Sequence, residues 1–113
     1  MWAHGRPDAG VIYYHCRDYR RSSGAPVSLF AGYRVKQVET RQGMPKVYES
    51  SLGVHRSFCG DGGMPLSYEA KGLPGEVYAM VGVLDNPEPF EPETHAGVSQ
   101  KLEWLYITDE LPR

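Results

Sequence analysis

The chain is poor in cysteine. It has two thiols, Cys16 and Cys59, in 113 residues, so it can form at most one disulfide, and spacing alone does not establish that bond. It has no excess of positive charge. The formal net charge of −2 weighs against nucleic acid as a partner, because phosphate binding needs a basic face. No apolar run approaches the roughly 18 residues of a membrane-spanning helix. The opening stretch MWAHGRPDAG lacks the apolar segment of a secretory leader. These absences point to a cytoplasmic chain with reduced thiols and no membrane partner. There is no internal repeat or low-complexity tract.

Turn residues are abundant: 13 glycines and 9 prolines are spread along the chain. Between them lie short runs rich in Val, Tyr and Phe. Residues 10–16, 27–35, 46–50, 54–59, 65–70 and 76–84 read as strands, and their spacing predicts a mainly β domain built as a sandwich or barrel-like sheet. Residues 76–84 are apolar on both faces and belong in the middle of the sheet. VYES and SLGVHRSFC form a hairpin with Gly53 in its turn. RDYRRSSG (17–24) reads as a helical turn or loop. Residues 85–93 carry three prolines and four acidic residues, which suit a surface loop pinned by Phe90. KLEWLYI (101–107) reads as a strand or helical turn whose Trp104, Leu105 and Ile107 anchor the C-terminal segment.

Four stretches resemble one family. YHCRDYRRSSGAP is similar to the C-H-C-x-x-C-R-R-x-S-G-A segment of the glutathione-dependent formaldehyde-activating (GFA) family. KVYESSLGVHRSFCGDGGMPLSY is similar to its hairpin ending in F-C-x-x-C-G-x-P-L. VGVLDNPEPFEPETH and LEWLYITDELPR match its L-D-x-P-x-x-F-x-P-x-x-H and W-L-x-x-x-D-x-L-P stretches. The resemblance runs from about Gly10 to Arg113. It divides the chain into a short segment, 1–9, and a GFA-like domain, 10–113, that lacks the family's first cysteine-bearing strand. It implies a β-tent fold, antiparallel sheets joined by knuckle-like turns. It also implies carbon–sulfur lyase chemistry on adducts between a thiol such as glutathione and a small aldehyde.

The ligand positions depart from the family pattern. The resemblance implies a catalytic zinc on C-x-C-x-x-C, where this chain has Tyr14, Cys16 and Tyr19. It implies a structural zinc partly on C-x-x-C, where this chain has Cys59 and Gly62. Zinc sites take three or four protein ligands, mostly thiolate and imidazole, so one cysteine at each position predicts no bound metal unless other residues rebuild a cage. His15 neighbours Cys16 but points to the opposite strand face. His4, His55 and His95 are scattered. Tyr14 and Tyr19 then have two readings: core filling, or hydroxyls lining a cleft.

For such a cleft the candidate catalytic residues are Tyr14, Cys16, Tyr19, Arg20 and His55. Arg21, Ser23 and Arg56 are candidate substrate-binding residues. A tyrosine hydroxyl with an arginine can bind a small anion or polarise a carbonyl, and tyrosine or histidine can serve as general acid or base. The bland readings are Arg20 and Arg21 solvated or salt-bridged to the acidic loop, an outward His55, and inert thiols. A small domain without its zinc staple is expected to compensate by forming a homodimer. Three functions follow: the family lyase, a zinc-independent acid–base enzyme on a small carbonyl compound, or a non-catalytic domain that binds a ligand or partner.

Overall fold

The computed structural model describes residues 2–3, 5–39 and 45–113; His4 lies outside them. Nine strands and one α-helix are present among these residues. β1 (Trp2–Ala3) pairs with β4 (Val38–Glu39) in a two-stranded ribbon. The other strands form one sheet: β2 (Gly10–Tyr14), β3 (Ser28–Arg34), β5 (Lys46–Ser51), β6 (Val54–Phe58), β7 (Pro65–Ala70), β8 (Glu76–Met80) and β9 (Thr94–Ala96). Their order is β5-β6-β7-β8-β3-β2-β9. The mainly β expectation holds, but the strands form one open sheet and a ribbon rather than a sandwich or barrel. Of 76–84, Glu76–Met80 is the central strand and Val81–Val83 turns into a 3-10 helix. The sheet is mixed rather than wholly antiparallel, because β9 runs parallel to β2.

Strand alternation divides the core into two clusters on opposite faces. Val11, Ala31, Tyr33, Ala79 and Val81 form one, against which Phe90 packs as expected for the acidic loop. Phe30, Tyr68 and Tyr78 form the other, flanked by Ile12, Tyr14, Tyr19 and Met80. Between β2 and β3 the chain makes helix α1 (Arg17–Ser23), closed by Gly24 at φ 74°. The left-handed residue after the helix favours glycine, and RDYRRSSG therefore resolves as a helix.

One anchor differs from expectation. Residues 101–107 form neither strand nor helix, and Trp104 is 64% exposed. The C-terminal segment is held by backbone and polar contacts instead. His95 N–H and Thr94 Oγ1 both donate to the Pro112 carbonyl, at 2.8 and 3.0 Å.

Candidate functional site

A single row of cross-strand partners organises one face of the sheet. Tyr48, Arg56, Tyr68, Tyr78, Gly32 and Gly10 stand opposite one another across six strands. Tyr68 and Tyr78 stack at 5.0 Å. The Tyr78 ring lies over Gly32, where a Cβ would come within 2.8 Å of it. The glycine is therefore what lets the ring lie flat on β3.

Tyr14 and Tyr19 join this aromatic layer from the end of β2 and from α1. Their rings meet edge-on at 4.7 Å, and each also packs against Phe30 and Tyr68. Burial pushes both hydroxyls above the ordinary tyrosine value. The Tyr68 hydroxyl is pushed up further, first by burial and then by the neighbouring hydroxyls. Those hydroxyls lie beside it, but none closes to hydrogen-bonding geometry, and Tyr68 Oη is buried without a partner among the described residues.

Cys16 occupies the N-cap position of α1 without making a side-chain cap hydrogen bond. Burial raises its thiol above the ordinary value, against smaller opposing pulls from the Tyr19 amide and from Arg56. A thiol so placed stays protonated at neutral pH and is a poor nucleophile.

Arg56 completes the site. It is 7% exposed, and its guanidinium lies over the Tyr19 ring at 4.9 Å and the Tyr68 ring at 5.5 Å. Nε donates to Ser50 Oγ at 3.0 Å. Beside it lies a cavity of about 430 Å³ between α1 and the β6–β7 hairpin, walled by Phe30, Phe58, Pro65 and Met80. The structure thus brings Tyr14, Cys16, Tyr19 and Arg56 together.

The remaining candidates lie elsewhere. His55 points to the opposite face from Arg56, is exposed, and sits 3.7 Å from Glu49, so it does not join the cluster. Arg21 is exposed. Arg20 donates to the Gln100 carbonyl at 3.4 Å rather than to the acidic loop. Ser23 Oγ is committed to the Tyr19 carbonyl and to Ser28 Oγ, at 2.8 and 2.9 Å. Cys59 closes the turn before β7, its N–H on the Met64 carbonyl and its carbonyl accepting from Gly63. Gly63 has φ 77° and needs glycine. Gly62 has an ordinary φ and open space around it, so the backbone sets no demand on the position where the family motif has a thiolate.

On the other face, sequence reading missed a constellation. His15 Nε2 meets His95 Nδ1 at 2.8 Å, and His95 Nε2 meets the Asp109 carboxylate at 2.9 Å. A carboxylate only accepts, so His95 Nε2 carries its proton. His15 Nε2 and His95 Nδ1 share one proton between them, and His15 Nδ1 is buried and unpartnered among the described residues. The single available signal was that His15, His95 and Asp109 all fall inside the family-like motifs.

A zinc ion does not fit the residues present. Around Cys16 the donors are one protonated thiol and two phenols turned into an aromatic cluster, a poor set for zinc. Among the described residues no group of three or more His, Cys, Asp or Glu is arranged to hold a metal. No helix of the described residues is long and apolar enough to cross a membrane.

Comparison with known proteins agrees with the architecture. A crystal structure of a Rhodobacter sphaeroides protein superposes with a TM-score of 0.61 at 18% identity, covering 78% of this chain and 82% of that one. No curated protein matches the chain. Residues 2–100 match the family described as glutathione-dependent formaldehyde-activating enzyme. With that match over most of its length, the chain belongs to the GFA family.

Proposed function

We propose that this chain is a small-molecule-binding member of the GFA family that works at the cavity beside Tyr19 and Arg56 and runs no reaction on thiolate-held zinc. One observation carries the reading. At two of the three thiolate positions of the family motif stand tyrosines whose rings are built into the Phe30–Tyr68–Tyr78 cluster. Swinging them out to admit a cation would open that core. The carbon–sulfur lyase reaction on thiol–aldehyde adducts, as the family resemblance implies it, would need the missing thiolates.

Elemental analysis of the purified protein tests this. Zinc well below one ion per chain is expected, with folding unchanged by a chelator. Stoichiometric zinc whose removal unfolds the protein overturns the reading.

A second reading is acid–base chemistry on a small carbonyl compound. It is favoured by the raised Tyr14 and Tyr19 hydroxyls, which stay protonated at neutral pH and can donate. Turnover of a small aldehyde that falls at least tenfold in Tyr19→Phe supports it; absence of turnover by the wild-type protein removes it.

A further inference from the structure

We propose that Arg56 anchors the carboxylate of a small organic anion whose apolar, flat or branched body fills the adjoining cavity. The inference rests on the cavity being the binding site and adds the chemistry of what enters it.

The argument begins with charge. A guanidinium stays protonated at any physiological pH, and burying it without a counter-charge is costly. Arg56 is 93% removed from water, since 7% of its surface is exposed. Among the described residues its side chain makes one hydrogen bond, from Nε to a neutral serine. No carboxylate pairs with it among the described residues. The two tyrosine rings hold the plane of the group by cation–π contact, which orients the fork but does not neutralise it. Among the described residues no group hydrogen-bonds the terminal nitrogens, and Arg56 lines the cavity. A fixed, planar, unneutralised fork presents two parallel donors, and a carboxylate is their geometric complement.

The rest of the cavity sets the body of the ligand. Four serines line it, but each hydroxyl is already engaged. Ser57 and Ser67 bond to each other, Ser23 bonds to the Tyr19 carbonyl, and Ser22 bonds to the Asp18 carbonyl. Phe30, Phe58, Pro65 and Met80 supply carbon walls. A ligand therefore finds one charged anchor, the Tyr19 and Tyr48 rings with their hydroxyls, and otherwise mostly apolar surface. About 430 Å³ accommodates a single ring or a branched chain of similar bulk, in the usual range for small-molecule sites.

Benzoate and its neutral isostere benzamide separate the possibilities, titrated calorimetrically against the full chain at low and moderate salt. Benzoate is expected to bind at least tenfold more tightly than benzamide, with the difference shrinking as salt rises and vanishing in Arg56→Gln. Arg56→Lys, which keeps the charge but not the fork, is expected to recover only part of it. Equal binding of the two probes by the wild-type protein overturns the anion anchor while leaving the cavity a binding site. Failure of either probe to bind overturns the anchor and the cavity reading together. The wild-type comparison needs no variant, so a misfolded Arg56→Gln does not rescue the proposal.

Discussion

His15 and His95, 80 residues apart in sequence, share a hydrogen bond of 2.8 Å, and Asp109 holds the far side of His95. His15 is 1% exposed, and its neighbours on that face include Lys101 and Arg113. Burial, then His95 and these two cations, hold the His15 imidazole below its ordinary value of 6.5. The His95 hydrogen bond, helped by the Leu111 amide and Arg113, holds the Asp109 carboxyl below its ordinary 3.8.

Both shifts carry the same sign for stability. In the unfolded chain His15 takes up a proton more readily than in the fold, so its contribution is complete above about pH 6.5 and drains as pH falls toward the folded value. Asp109 contributes above its unfolded value and loses that contribution as pH falls through the folded one. At the other end, Cys16 and the buried tyrosines ionise more readily when unfolded, so stability declines as pH rises past about 9–10. The melting temperature is expected to plateau near pH 7–9 and fall on both sides. His95→Ala is expected to cost about 3 kcal/mol by denaturant titration at pH 7, since it leaves His15 Nε2 unpaired. A melting temperature unchanged from pH 8 to 5 would contradict the arrangement.

Tyr68→Phe is expected to be neutral or stabilising by about 1 kcal/mol, against the usual cost of core substitution. Its hydroxyl is buried and completes no hydrogen bond, so removing it relieves a desolvation penalty and leaves no partner stranded. Urea denaturation decides the point; a loss above about 1.5 kcal/mol would reveal a bonded hydroxyl.

Gly32→Ala is expected to destabilise by about 2 kcal/mol through overpacking. A Cβ there falls 2.7 Å from the Ala9 Cβ and 2.8 Å from the Tyr78 ring. Because Tyr78 stacks on Tyr68, the change should also disturb the near-ultraviolet tyrosine dichroism. An unaltered spectrum and midpoint would mean that the ring is free to move aside.

The homodimer expected from the sequence has a natural seam at β5. That strand pairs with β6 on one side and is exposed at every residue, with Val47 60% and the adjoining Leu52 96% exposed. Its outer edge is unpaired among the described residues, and edges of this kind recruit a second strand. Light scattering at micromolar concentration is expected to give the mass of two chains, reduced to one in a Val47→Lys, Leu52→Lys double variant. A wild-type mass of one chain removes the dimer.

The strands were legible because their residues announce both faces. In VHRSF the alternation puts His55 and Arg56 on opposite faces, so the two could not share the cleft for which both were candidates. Gly24 and Gly53 marked turns for the same local reason. What escaped reading was non-local. β9 is three residues long and sits in a proline-rich stretch, too short for any period to show, and only its parallel partner β2 defines it. His15 and His95 looked scattered because that pairing, unlike a hairpin, follows no spacing rule. Trp104 misled because hydrophobicity states a preference for burial without saying whether the backbone can deliver the side chain there.

The parallel pairing of β9 with β2 also fixes an order of events. Strands β2 and β3, and β5 through β8, can zip through antiparallel contacts with a chain neighbour, and β3 meets β8 across about forty residues, whereas β9 must return over about eighty residues to find its place, and long closures come late. During synthesis the flank of β2 and the His15 imidazole therefore stay open to water, or to a chaperone, until residues 94–112 have emerged.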